Sequence, residues 1–144
     1  ASDVYKRQIP TFTFNPKEYP SKADYEREIV RRLRAERVEL ICLAGYMRIL
    51  SDVVLEAYRD RIVNIHPSLL PAFKGAHAIA DAFAYGVKVF GVTIHYVDAT
   101  LDGGKIISQR AFGYDGDDIA ELEARIHAVE YPLYIETINK LLKE

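Results

Sequence analysis

Asn64 and His66 stand two apart at the end of the apolar stretch "RIVNIHPSLLP", and Pro67 follows at once. Residues two apart in a strand point to the same face, and a proline withdraws the donor that a ladder needs. An amide and an imidazole are thereby held side by side where the strand must stop. Asp102, in "DATLDGGKI", precedes two glycines in a turn, where a carboxylate can reach an imidazole on a neighbouring strand end. A carboxylate beside an imidazole fixes its tautomer and favours the charged ring near neutral pH. The bland alternatives remain open at this point. His66 can be a strand-end histidine bonded to a carbonyl with Asn64 a turn former, the commoner outcome for an arbitrary Asn-x-His, and Asp102 can bond its own turn.

Other chemistries fit less well. His66, His77, His95 and His127 show neither i, i+4 nor CxxC-type spacing, so no metal is expected, and His95 reads as a packed mid-strand histidine. Ser68 lacks the G-x-S-x-G setting of a hydrolase nucleophile. The P-loop and the G-x-G-x-x-G fingerprint do not occur.

The elements that must carry these residues follow from periodicity. "IPTFTF", residues 9 to 14, alternates and predicts a strand, pushed to an edge or a strand start by Pro10. Ser21 and Asp24 form a capping box ahead of a helix whose apolar stripe is Tyr25, Ile29, Val30 and Leu33. The arginines of that helix alternate with Glu26, Glu28 and Glu36, which predicts a solvated face rather than a phosphate surface. "VELICLA", residues 38 to 44, reads as a parallel strand covered on both sides, with Cys42 a buried small hydrophobe. Ser51 caps a short helix through about Tyr58, residues 61 to 65 form a buried strand, and "AHAIADAFAY" is a helix stopped by Gly86. Residues 88 to 97 and "KIISQRAF" are strands that can pair across "ATLDGG". Residues 117 to 143 form a helix bent or broken at Pro132. In open sheets of this kind ligands collect at the carboxyl ends of the strands. The alternation predicts an α/β layered fold with a mostly parallel sheet flanked by helices.

At 144 residues and 49% hydrophobic content the chain supports one core. The net charge of -2 provides no general basic field, so no nucleic-acid partner is expected. No apolar run approaches the ~20 residues that cross a bilayer. A soluble cytoplasmic protein with no membrane partner is expected, the single cysteine fitting a reducing compartment. Residues 1–8 match no structural pattern and read as a disordered or foreign tail, leaving residues 9–144 as one domain.

Taken together, "LAGYMRILS", "VNIHPSLLPAFKGAHAIADAF", "GVTIHYVDATLDGGKIISQ" and "RIHAVEYPLY", in this order, closely resemble the phosphoribosylglycinamide formyltransferase family over roughly residues 9 to 140. The resemblance implies a formyltransferase-like fold and transfer of a formyl group from the co-substrate 10-formyltetrahydrofolate to the amine of glycinamide ribonucleotide, in purine synthesis, without a metal. It assigns catalysis to Asn64, His66 and Asp102. It assigns the folate pocket to Lys22, to Met47, Arg48, Ile49 and Leu50, and to Asp98, Ala99, Thr100 and Leu101 leading into Asp102. Glu130 and His127 are assigned to the ribonucleotide, with Tyr131 where the family usually has a histidine. In this reading cationic His66 and the Asn64 amide stabilise the oxygen that turns negative when the amine attacks, and Asp102 helps move the proton.

The family also begins with a first strand and a Gly-Ser-Asn loop that binds phosphate at a helix start. The given chain opens near the family's third strand, which predicts a transferase shortened at its N-terminus that keeps the folate pocket and the trio but holds nucleotide weakly. Two alternatives share the pattern: formyltetrahydrofolate deformylase, which usually has histidine at the place of Pro67, and a catalytically dead folate-binding fragment. Methionyl-tRNA formyltransferase uses related loops with an added C-terminal RNA-binding domain, a reading disfavoured by the absence of a basic surplus in the given sequence. The sequence leaves oligomeric state open.

Overall fold

A computed structural model describes residues 9–46 and 48–144. The expectations for residues 1–8 and for Met47 lie outside the described residues.

Ser21 opens the first helix as its pattern predicts. The Ser21 hydroxyl accepts from the Asp24 backbone N–H at 3.2 Å and donates to the Asp24 carboxylate at 2.6 Å, and helix α1, Lys22–Ala35, follows. Tyr25 and Val30 of its stripe are buried. On its outer side Arg31 and Arg32 bond Glu28 and hold that carboxyl down to about 2.

Glu26 departs from the solvated face expected of it. It is 0% exposed, because it falls on the edge of the stripe, four residues before Val30. Both of its oxygens accept from Ser51 N–H at 3.1 Å, and the Ser51 hydroxyl donates to Oε2. Ser51 is the N-cap of α2, Asp52–Ala57, so the carboxylate sits at the positive end of a helix and binds its cap. This contact docks α2 on α1. Glu26→Ala leaves the cap donors without an acceptor in a dry place, so we expect a loss of about 2 kcal/mol. In thermal denaturation that is a Tm lower by roughly 4–8 °C. Glu26→Gln, which keeps a carbonyl acceptor, loses less.

Strands β1 (Ile41–Leu43), β2 (Ile62–His66), β3 (Val89–Tyr96) and β4 (Ile106–Gly113) form one sheet in the order β1-β2-β3-β4. β1 runs parallel to β2, whereas β2–β3 and β3–β4 are antiparallel. The α/β architecture is as expected, but the sheet is mixed rather than mostly parallel. The β3–β4 connection is a hairpin, and the crossover through α3, Ala78–Tyr85, returns the chain antiparallel. Gly86 ends α3 at φ 90°, a left-handed conformation that costs glycine little. Helix α4, Ile119–Lys143, closes the fold.

Two apolar clusters lie on the two faces of the sheet. Val30, Leu50, Val54, Tyr58 and Ile62 join α1 and α2 to one face. Val63, Ala82, Val92, Ile94, Leu122, Ile126 and Leu133 join α3 and α4 to the other. Among the described residues no helix is long and apolar enough to cross a membrane.

Four sequence expectations are corrected. Residues 9–14 form no strand; Phe14 packs its ring on Tyr19 and Tyr25, and Arg32 lies 4.9 Å over Phe12, so side-chain packing rather than a ladder holds the segment. The strand expected over 38–44 is confined to Ile41–Leu43. Its start is taken up by the end of α1, where Arg37 adopts φ 54° and Val38 N–H donates to Leu33 C=O at 3.0 Å, a left-handed helix stop. Cys42 is exposed, not buried, because β1 is the edge strand of the described sheet. Finally, of the bend or break expected at Pro132 the break does not occur, and α4 runs through the proline as one helix. Its buried face, Leu122, Ile126, Leu133 and Thr137, continues across the proline, and that packing outweighs one lost helical hydrogen bond.

Candidate active site

β2 ends on His66 itself, one residue later than the periodicity predicts, and Pro67 stops it there. In the β2–β3 register Asn64 faces His95 and His66 faces Thr93. Directly opposed antiparallel residues share a face, so these four polar side chains form one patch on the sheet. The opposite face carries Val63, Val92 and Ile94 of the core.

His66 is 5% exposed. Its Nε2 lies 2.8 Å from the Phe73 carbonyl oxygen. A carbonyl only accepts, so Nε2 carries the proton and Nδ1 is left to the site. Nδ1 lies 3.6 Å from Asp102 Oδ2. The carbonyl that orients the ring is itself fixed by the loop after Pro67. Ser68 Oγ donates to Ala72 C=O at 2.6 Å and to Phe73 C=O at 3.2 Å. Thr93 Oγ1 donates to Ser68 C=O at 2.7 Å and accepts from Leu70 N–H at 3.1 Å, and Gln109 Nε2 donates to Leu70 C=O at 2.9 Å. Ser68 therefore anchors this loop and is no nucleophile.

Asp102 occupies the β3–β4 turn at φ 47°. Tyr96 N–H donates to Lys105 C=O across the base of the turn at 2.9 Å. A Cβ at Gly104 would stand 1.8 Å from the Tyr96 carbonyl oxygen, so the close approach requires glycine there. Asp102 Oδ2 also accepts from Gly75 N–H at 2.8 Å. One loop thus orients both partners, holding His66 through Phe73 and Asp102 through Gly75.

The trio opens into a cavity of about 670 Å³. Arg48, Ile49, Leu50 and the segment Asp98, Ala99, Thr100, Leu101 line one part, and His127, Glu130, Tyr131 and Tyr134 of α4 line another, with Asn64, His66 and Asp102 among the lining residues. Asp98 shapes its loop by accepting from Thr100 N–H at 2.8 Å, and the Thr100 hydroxyl and backbone bonds hold its carboxyl below the usual range. Lys22 does not line the cavity; its ammonium donates to the Ile49 carbonyl and so ties the 48–50 loop to α1. His127 Nδ1 meets Glu130 Oε2 at 2.7 Å on α4. The Tyr134 hydroxyl donates to Leu43 C=O at 2.7 Å, and burial pushes its pKa up. The side chain of Asn64 makes no hydrogen bond to the described residues and is half-buried against the cavity.

Reasoning from sequence missed Tyr46 and Tyr134 in the lining, and the backbone groups of Phe73 and Gly75. No side-chain signal marks a backbone acceptor or donor. It also read His95 only as packed. It is buried, and its Nδ1 bonds the Tyr96 carbonyl at 2.8 Å, but Nε2 faces Asp102 Oδ1 at 3.8 Å. Among the described residues no cluster of three or more His, Cys, Asp or Glu has metal-binding geometry.

An open α/β sheet with an amide, an imidazole and a carboxylate at its strand ends, beside an apolar slot, is an arrangement suited to acyl transfer. The formyl transferase family matches residues 2–138. The chain is 52% identical over 135 residues to the phosphoribosylglycinamide formyltransferase of Bacillus subtilis, covering 93% of this chain and 69% of that protein. It is 41% identical to the enzyme of the same name from Mycobacterium tuberculosis, covering 92% of this chain and 62% of that protein. The crystal structure of phosphoribosylglycinamide formyltransferase from Bacillus halodurans superposes with a TM-score of 0.92 at 49% identity, over 98% of this chain and 73% of that one.

The chain belongs to the formyl transferase family and, within it, to the phosphoribosylglycinamide formyltransferases. This family of purine biosynthesis uses 10-formyltetrahydrofolate as its co-substrate.

Proposed function

We propose that this chain transfers the formyl group of 10-formyltetrahydrofolate to the amine of glycinamide ribonucleotide, with Asn64, His66 and Asp102 as catalytic residues. The observation that carries the assignment is the orientation of His66. Its Nε2–H is committed to Phe73 C=O, so Nδ1 is the nitrogen that meets both Asp102 and the cavity.

The amine attacks the formyl carbon, and the carbonyl oxygen gains charge beside the Asn64 amide and a protonated His66 Nδ1. Donors fixed before reaction stabilise that charge without reorganising. Asp102 faces Nδ1 and, through water, moves the proton lost by the attacking nitrogen toward the departing N10. The Arg48–Leu50 and Asp98–Leu101 walls take the folate, with backbone groups for the flat ring and Ile49 and Leu50 for apolar contact. Met47 and Lys22 belong to this assignment as well, Lys22 as the tether of the loop. His127 and Glu130 take the ribonucleotide at the α4 end of the cavity. A cytoplasmic location and small-molecule partners accord with this reading.

The test is a formyl-transfer assay on the purified chain with both substrates. The reading predicts formylated ribonucleotide as product. Formate released without ribonucleotide would identify a hydrolase instead, and folate binding with no turnover a non-catalytic module.

A further inference from the structure

We propose that His95 is a positioning residue for formyl transfer: a proton on its Nε2 holds Asp102 Oδ1, and so keeps Oδ2 against the His66 ring. The proposal rests on the catalytic reading of Asp102 and His66 given above.

The protonation pattern follows from the partners. His95 Nδ1 lies 2.8 Å from Tyr96 C=O, which only accepts, so Nδ1 carries a proton. Nε2 is buried and has no hydrogen-bond partner among the described residues. The atom it faces is Asp102 Oδ1, at 3.8 Å, an ion-pair separation longer than a hydrogen bond. A bare lone pair on Nε2 would confront a carboxylate in a place 2% exposed. A proton there replaces repulsion with a charge-assisted contact.

The backbone pairing is irregular at this point. The β3–β4 register shifts between Ile94 and His95, and such bulges re-aim a side chain beside active sites. Asp102 needs the help. Its turn is anchored at the Tyr96–Lys105 bond, and beyond that the carboxylate is placed by Gly75 N–H on Oδ2 alone. An ion pair on Oδ1 opposes rotation of the carboxylate and so favours Oδ2 toward His66 Nδ1. The charged groups around His95 are Asp102, the His66 ring beyond it, and Asp98, whose carboxyl is lowered by its Thr100 bonds first and by His95 last. Its ladder partner on β2, Asn64, is uncharged.

Two measurements on the full chain decide the point. In 15N-histidine NMR, His95 Nε2 is expected to be protonated in the unaltered chain and to lose that proton in Asp102→Asn. In steady-state kinetics, His95→Phe is expected to lower kcat roughly tenfold, the size of one charge-assisted contact, with both KM values changed by no more than about twofold. His95→Gln, which keeps a donor near the Nε2 position, recovers most of the loss. A bare Nε2 in the unaltered chain overturns the proposal, as does a Phe variant with undiminished kcat or a Gln variant no better than Phe. Failure of the unaltered chain to transfer formyl groups refutes the functional reading alone, and the nitrogen signals then still decide the His95 contact.

Discussion

His66→Ala is expected to lower kcat by about 1,000-fold, the upper end of the range for losing a positioned oxyanion donor. KM for the folate should stay within about twofold, since the walls assigned to it come from the Arg48–Leu50 and Asp98–Leu101 segments and not from the imidazole. The variant should fold. Removing the ring takes one donor from Phe73 C=O, but Ser68 Oγ still donates to that oxygen at 3.2 Å, and the loop keeps its bonds to Thr93 and Gln109. Stopped-flow or steady-state rates with both substrates check the outcome. A rise in KM with kcat unchanged would mean that the ring binds substrate equally in ground and transition states, and the oxyanion role would have to be abandoned.

Much of what places His66 is legible in the sequence because it is local. Ser21 and Ser51 announce their helices through hydroxyls that reach the next turn, Gly86 ends α3 through its own φ, and Asn64, His66 and Pro67 reveal a strand end through a period of two. The failures share the opposite property. Glu26 looks like one more member of an alternating charged face, and only the packing of α2 across α1 buries it on the Ser51 cap. Cys42 sits in an apolar run, but whether such a run is covered depends on what lies beside the strand, which the run does not encode. The direction of β3 likewise follows from how the α3 crossover returns, not from any pattern within "KVFGVTIHYV". His95 shows the same limit inside the site. Its face could be read from alternation with Thr93, whereas the register shift beside it and the carboxylate it meets come from β4 and a turn.

That distinction bears on the second large effect, at Asp102, because charge and turn geometry can be separated there. Asp102→Asn should lower kcat by roughly 100-fold or more, within the range for acid–base groups, while KM and Tm change little. Asparagine tolerates the left-handed φ of 47° that this position requires, and its carbonyl oxygen can still accept from Gly75 N–H, so the turn stays closed. What is lost is the negative charge facing His66 Nδ1 and the acceptor for the migrating proton. Asp102→Ala removes the same charge and, in addition, the Gly75 contact. It also places a Cβ-bearing residue without a polar side chain in the left-handed region, at a cost of about 1 kcal/mol. The alanine variant should therefore match asparagine in kcat and fall below it in Tm by roughly 2–4 °C for that strain alone. If asparagine kept most of the activity and alanine lost it, Asp102 would serve to build the turn, and the proton would have to travel by another route. Equal losses of kcat with unequal Tm would place the chemistry on the charge, since the two substitutions differ in how well they hold the turn and not in what they offer the proton.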